Sequence, residues 1–267
     1  MIPKDPIDED ETDAMLQAAT HRVNECREQS NQQDKGTSDL VDALENRAEL
    51  YSETGQTEAA RDDYAEALML NLACQGPPKQ RGGLHAALGS VHDTLGDVEQ
   101  AARHWEQAIE CFEQTSPPSR LAVATIANNL GHLKRQDGDH DAAESAFLKA
   151  VEIFHTDCGA HDERTAIVAT NLGSLYQEAG FPESSCDMFI LANKAYRECR
   201  GDASPSTAAS FHHLAIAFAS LGNADEARRC FEEAIRIYRA LGEEHEETIG
   251  EIIGHAREMI PGEAIGS

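Results

Sequence analysis

Apolar and polar residues follow one another along this chain with a helical period, and the helical pattern itself recurs. In residues 124–157, Ile126, Leu130 and Leu133 fall at i, i+4 and i+7. After Gly138, the residues Ala143, Phe147, Ala150, Val151 and Phe154 make a second one-sided stripe. Two amphipathic helices with a short turn are predicted, a helical hairpin. Gly138 ends the first helix, because glycine takes the left-handed C-terminal position without steric cost. The arrangement returns at Gly55, Gly96, Gly138, Gly180 and Gly222, with spacings of 41, 42, 42 and 42 residues. Nine residues after each glycine stands an aromatic (Tyr64, Trp105, Phe147, Phe189, Phe231), and twelve after it an alanine (Ala67, Ala108, Ala150, Ala192, Ala234). Seven before it stands a small residue (Ala48, Gly89, Gly131, Gly173, Ala215), where something must approach the helix backbone closely. A small residue also stands five after each glycine: Ala60, Ala101, Ala143, Ser185 and Ala227. Five hairpins are therefore expected at about 41–74, 82–115, 124–157, 166–199 and 208–241. No single hairpin can bury its apolar face alone, so successive hairpins must stack.

The ends depart from the pattern. Residues 1–37 are expected to form an acidic tail and a capping helix. Met1 to Asp13 carries Asp5, Asp8, Glu9, Asp10, Glu11 and Asp13 with two prolines, a composition that resists packing, and reads as a mobile tail. From Thr12 the spacing of Met15, Ala18, Ala19 and Val23 predicts a helix that stops before Asn31. Ile249, Ile252, Ile253 and Ala256 predict a second capping helix over 245–259, closed by Pro261-Gly262, with 260–267 as a tail. Residues 38–258 between them read as one continuous domain. Inside the repeats, Arg47 sits in the column of Leu88, Leu130, Leu172 and Leu214, and Asn193 in that of Leu68, Ile109, Val151 and Ile235. The first repeat is expected to pack loosely or to pair with the tail helix. The fourth, with Phe181-Pro182 after its glycine and Ser185 for alanine, is expected to form a kink or a second contact site.

These columns resemble the tetratricopeptide repeat. The 42-residue unit, with Ala124-Thr-Ile-Ala-Asn-Asn-Leu-Gly131 and the linkers Cys158-Gly-Ala-His161 and Leu241-Gly-Glu-Glu-His245, is similar to the longer class found in kinesin light chains. The resemblance implies an all-α, right-handed superhelical solenoid of five hairpins with terminal caps, working as a non-catalytic scaffold. Its first helices would line a concave groove for a peptide or protein segment. Carried over position by position, the groove would present Asn46 and Glu49, then Ala87 and Ser90, then Asn128, Asn129, His132 and Arg135. The later repeats add Thr170, Asn171, Ser174 and Gln177, then His212, His213 and Ile216. An asparagine amide offers donors and an acceptor, and so can bond an extended backbone whatever its side chains are. Asn46, Asn129 and Asn171 share the column that often clamps peptide in the family. The alternative is that these amides cap or bridge adjacent helices. The family's carboxylate clamp for chaperone tails needs basic residues in consecutive repeats, whereas the first repeat here presents Asp42, Glu45 and Glu49. Arg135 with His132, His212 and His213 can still accept one carboxylate, more strongly below about pH 6.5 as the imidazoles charge.

Charge narrows the partners further. Against 48 acidic residues stand 22 lysines and arginines, a net charge of −26, which opposes nucleic acid or an anionic membrane as partner and permits a basic protein. Much of the acid is expected on solvated second-helix faces, at Glu58, Asp62, Asp63 and Glu66 and at Glu106, Glu110 and Glu113. That face, or terminal helices carrying Met15, Val23, Ile252 and Ile253, offers an alternative role as a regulatory or structural subunit that binds a partner or a second copy. No apolar run is long enough to span a bilayer. Seven cysteines without CxxC spacing read as reduced thiols, and a cytoplasmic protein is expected. No nucleophile elbow, phosphate loop or HExxH is present, so neither an enzyme nor a cofactor is expected. His155, Cys158 and His161 are spaced like metal ligands, yet the aligned linker keeps only His245, and no metal is expected there.

Overall fold

Every regular element of the computed structural model, which describes residues 9–30 and 36–261, is a helix. Among these residues the order is α1 (Glu9–Ser30), α2 (Gly36–Glu53), α3 (Thr57–Ala73), α4 (Pro78–Thr94), α5 (Val98–Glu113) and α6 (Arg120–Gln136). It continues with α7 (His140–Asp157), α8 (Glu163–Glu178), α9 (Pro182–Arg200), α10 (Pro205–Ser220), α11 (Ala224–Leu241) and α12 (Glu246–Met259). Contacts group the chain into two compact units, Met1–Ile126 and Ala127–Ser267. In the first unit α2 packs on α3 and α4 on α5, with α1 against α2 and α3 against α4. In the second, α8 packs on α9 and α10 on α11, with α7 against α8, α9 against α10, and α12 against α10 and α11.

The hairpin turns have one chemistry. Gly138 has φ of 80°, which lets Asp139 N–H reach back to Lys134 C=O at 2.9 Å and close the end of α6. Asp139 then caps the next helix, its carboxylate accepting from Ala142 N–H at 3.2 Å. Asp97 and Asn223 repeat the device on Gln100 N–H and Glu226 N–H. In the fourth repeat Phe181 gives no side-chain cap, and Pro182 starts α9 instead.

The small column does what its spacing predicts. A Cβ on Gly131 would lie 2.6 Å from Cε1 of Phe147, and one on Gly173 would lie 2.8 Å from the Phe189 ring. Phe147, Phe189 and Phe231 are fully buried, as are Ala143, Ala150, Ala227 and Ala234 around them. The first repeat takes the second of its two expected courses. The repeat does pair with the tail helix, α1 packing on α2, while Arg47 turns to its own hairpin: its guanidinium donates to both oxygens of Asp63 at 2.7 and 2.8 Å, with both residues buried. Asp63 stands where later repeats have His104, Ala146, Met188 and Cys230, so an ion pair replaces an apolar contact and Asp63 is not part of the solvated acid face. Asn193 likewise donates to Ser210 Oγ at 2.9 Å, a buried polar pair between α9 and α10. Ser185 closes its own position by donating to Gly173 C=O at 2.9 Å.

The caps also differ in detail. The expected mobile tail is helical from Glu9 onward, an acidic start that suits the positive end of the helix dipole; residues 1–8 lie outside the described residues. Val23 and Ile252 are fully buried, so they seal the ends rather than offer a sticky surface, and Ile253 packs against the core. Met15, 44% exposed, is the apolar cap residue left in solvent. Ile260, expected in the C-terminal tail, is buried, and residues 262–267 lie outside the described residues.

Candidate functional site

In the second unit, the first-helix positions that the repeat register aligns are drawn into contact. Asn171 on α8 donates its amide to Asn128 Oδ1 on α6 at 2.9 Å. Thr170 and Ser174 turn their hydroxyl protons back to Ala166 and Thr170 carbonyls, both at 2.9 Å, and Thr170 also lies within hydrogen-bonding reach of the Tyr196 hydroxyl. Asn129, half-buried, has no hydrogen-bonding partner among the described residues. Arg135 lies 3.6 Å from Glu178, and Gln177 is exposed. Bridging of adjacent helices is therefore what Asn128 and Asn171 do with one amide edge each. Every amide has four bonding positions, so the rest of each remains available.

The same rung recurs further on. His212 Nε2 meets His255 Nδ1 at 3.0 Å, 43 residues apart, as Asn128 and Asn171 are. The sequence reading missed His255, which the 43-residue offset from His212 sets on α12 in the register of a first helix. Burial, followed by repulsion from His213 and His255, pushes the His212 pKa down to about 4. Burial also lowers that of His213, whose ring stacks on Phe189 at 5.0 Å. Burial thus opposes the gain of charge expected of these two imidazoles below about pH 6.5 and holds both pKa values below the ordinary histidine range. His132 sets its ring edge-on to Phe147 at 5.3 Å.

In the first unit the stripe has another character. Asn46 and Glu49 on α2 are exposed, as is Ser90 on α4. At the rung position the register aligns Glu45 on α2 with Ala87, whose side chain has no polar group. Gln80 approaches instead, donating to Asp42 at 2.6 Å and to Glu45 at 3.3 Å. Burial, opposed by the Gln80 hydrogen bond and reinforced by Glu49 and Asp42, raises the Glu45 pKa.

The remaining chemistry does not assemble. Among the described residues no three His, Cys, Asp or Glu side chains are placed to hold a metal ion. His161 pairs instead with Glu198 at 3.1 Å. All seven cysteines are free. Among the described residues no helix is long and apolar enough to cross a membrane.

Comparison with known proteins agrees with this architecture. A sequence model of the tetratricopeptide repeat matches residues 80–156, 122–184 and 164–240, and a second one matches 41–74. BtubC (BKLC) from P. vanneervenii is similar in structure, with 25% identity and a TM-score of 0.71 over 86% of this chain and 92% of that one. A putative kinesin light chain from Podosopora anserina shares 18% identity, with a TM-score of 0.64 over 78% of this chain and 98% of its own. YrrB, a TPR protein with an unusual peptide-binding site, shares 17% identity, with a TM-score of 0.57 over 81% of this chain and 91% of its own. No curated protein matches the chain significantly.

Proposed function

The chain belongs to the tetratricopeptide repeat family, and from that premise we propose that it is a non-catalytic scaffold binding a peptide or protein segment along its first-helix face. The observation that carries this reading is the polar stripe of Asn128, Asn129, Thr170, Asn171, Ser174 and Gln177. In that stripe Asn129 has an unengaged amide and the Ser174 oxygen keeps acceptor lone pairs. Such a surface suits an extended backbone, whose N–H and C=O groups need partners and whose side chains it leaves unspecified. YrrB, with its peptide-binding site on a similar fold, supports the same reading.

Affinity capture from native extract with wild type and an Asn129→Ala, Asn171→Ala double variant tests it. A segment retained by wild type should then be made as a synthetic peptide and titrated against both proteins. Binding by wild type and loss on the double variant are expected. Equal binding to both would move the interaction to the alternative surface, the exposed carboxylates of α5 at Glu106, Glu110 and Glu113. Binding there would weaken steeply with salt.

A further inference from the structure

The last helix is joined to the second unit by two kinds of contact. Ile249, Ile252 and Ala256 of α12, with Ile260 after it, are buried in one core cluster with Leu214 of α10 and Ile237 and Tyr238 of α11. Beside this apolar seam, His212 Nε2 on α10 meets His255 Nδ1 on α12 at 3.0 Å. We propose that this imidazole pair is an acid-sensitive latch, which fastens α12 to the last hairpin while neutral and, once both rings are protonated, opens the cap and uncovers the apolar end of that hairpin.

The count of protons gives the direction. Two facing ring nitrogens 3.0 Å apart bond through a single hydrogen, one ring donating and the other accepting. A first added proton can settle on an outer nitrogen and leave that bond in place. A second puts an N–H on both facing nitrogens and two like charges side by side, so the contact becomes repulsive.

The surroundings supply His212 with no counter-charge. It faces the Phe231 ring of α11 at 6.0 Å and His213 of its own helix at 6.2 Å, while Phe189 of α9 stacks on His213. Helix α10 itself carries no lysine, arginine, aspartate or glutamate. Burial first, and then His213 and His255, hold the His212 pKa down to about 4. The closed cap therefore resists a proton that the open one takes up below about pH 6.5. Along α12 the charged neighbours of His255 are Glu251, Arg257 and Glu258. His245, ahead of α12, lies 3.7 Å from Glu244, a pair that protonation tightens.

The helix that the latch holds is weakly built. Gly250 and Gly254 stand in its interior with nothing within 4 Å of an added Cβ, so they lower helix propensity without serving a close contact. No side chain caps its N-terminus. A terminal helix of this kind opens more readily than the hairpins behind it.

Hydrogen exchange read by mass spectrometry on the full chain tests the latch, through protection factors for α12 at about pH 7.5 and about pH 5. A His212 pKa that moves from about 4 in the closed cap to about 6.5 in the open one implies an opening equilibrium up to about thirtyfold larger at pH 5. Protection of α8 over the same range should change by less than about threefold. His212→Gln keeps a hydrogen-bonding side chain that takes up no proton, so protection of its α12 should also change by less than about threefold. Gly250→Ala with Gly254→Ala should raise protection of α12 at both pH values and leave their ratio unchanged. The His212 ring, followed by NMR in the wild-type chain, reads the same event without any substitution and should titrate below the ordinary histidine range. An ordinary titration, a wild-type α12 whose protection does not depend on pH, or the same loss in wild type and His212→Gln overturns the latch.

Discussion

Repeat logic says that Arg47→Leu should stabilise the first hairpin, since every other repeat has leucine there; the structure says the opposite. Removing Arg47 takes two charge-assisted hydrogen bonds from Asp63 and leaves a carboxylate 6% exposed with no counter-charge. Breaking one side of such a pair costs about 3–5 kcal/mol, and burying a leucine returns about 1.5–3. The expected net loss is about 2 kcal/mol, or about 4–8 °C in the thermal midpoint for a chain of this size. Asp63→Ala added to Arg47→Leu gives the first repeat the leucine and alanine that the third has as Leu130 and Ala146. The double variant should return to within about 1 kcal/mol of wild type or exceed it. Thermal unfolding of the four proteins by circular dichroism at neutral pH closes the cycle. An Arg47→Leu protein as stable as wild type, or a coupling between the two sites below about 0.5 kcal/mol, would refute the argument.

Asn193→Leu restores the consensus in the same formal way, yet it should be neutral or stabilising by up to about 1 kcal/mol, because Ser210 keeps its bond to Thr207 C=O at 2.7 Å; a marked drop in midpoint contradicts this. Gly131→Ala should destabilise by about 1–3 kcal/mol through its collision with Phe147. Gly254→Ala, in a helix with nothing within 4 Å, should stabilise by up to about 1 kcal/mol. A rise of the midpoint in both glycine variants would show that helix propensity, not packing, dominates. Burial, with neighbouring imidazoles, holds the pKa values of His85 and His212 down to about 4. As pH falls below about 6.5, the unfolded chain takes up protons before the folded one. The stabilisation is complete above that pH and is lost toward about pH 4. The wild-type midpoint should therefore fall more between pH 7 and pH 5 than that of a His85→Gln, His212→Gln variant, and parallel curves would contradict the shift.

The hairpins, their turns and the burial of the alanine and aromatic columns were legible in the sequence because each depends on local spacing. A glycine at positive φ, an Asp or Asn cap and a one-sided apolar stripe are set by residues within a few positions of one another, and five recurrences at 41 or 42 residues leave little freedom in where helices begin and end. The family's first-helix face could be named by the same register. The pairings could not. Whether Arg47 reaches solvent, the first helix or Asp63 depends on how α2 and α3 pack, and its column said only that a leucine was missing. The amide and imidazole rungs join side chains 43 residues apart, which only stacking brings within 3.0 Å. The depressed histidines follow from the same cause, since desolvation is a property of what packs over a ring and not of the ring's place in the chain. Glu45, likewise, was one acidic residue among 48 until tertiary packing half-buried it and brought Gln80 to it. Periodicity determined which residues turn inward and which outward; the contacts between helices decided which of the outward ones are still free to meet a partner.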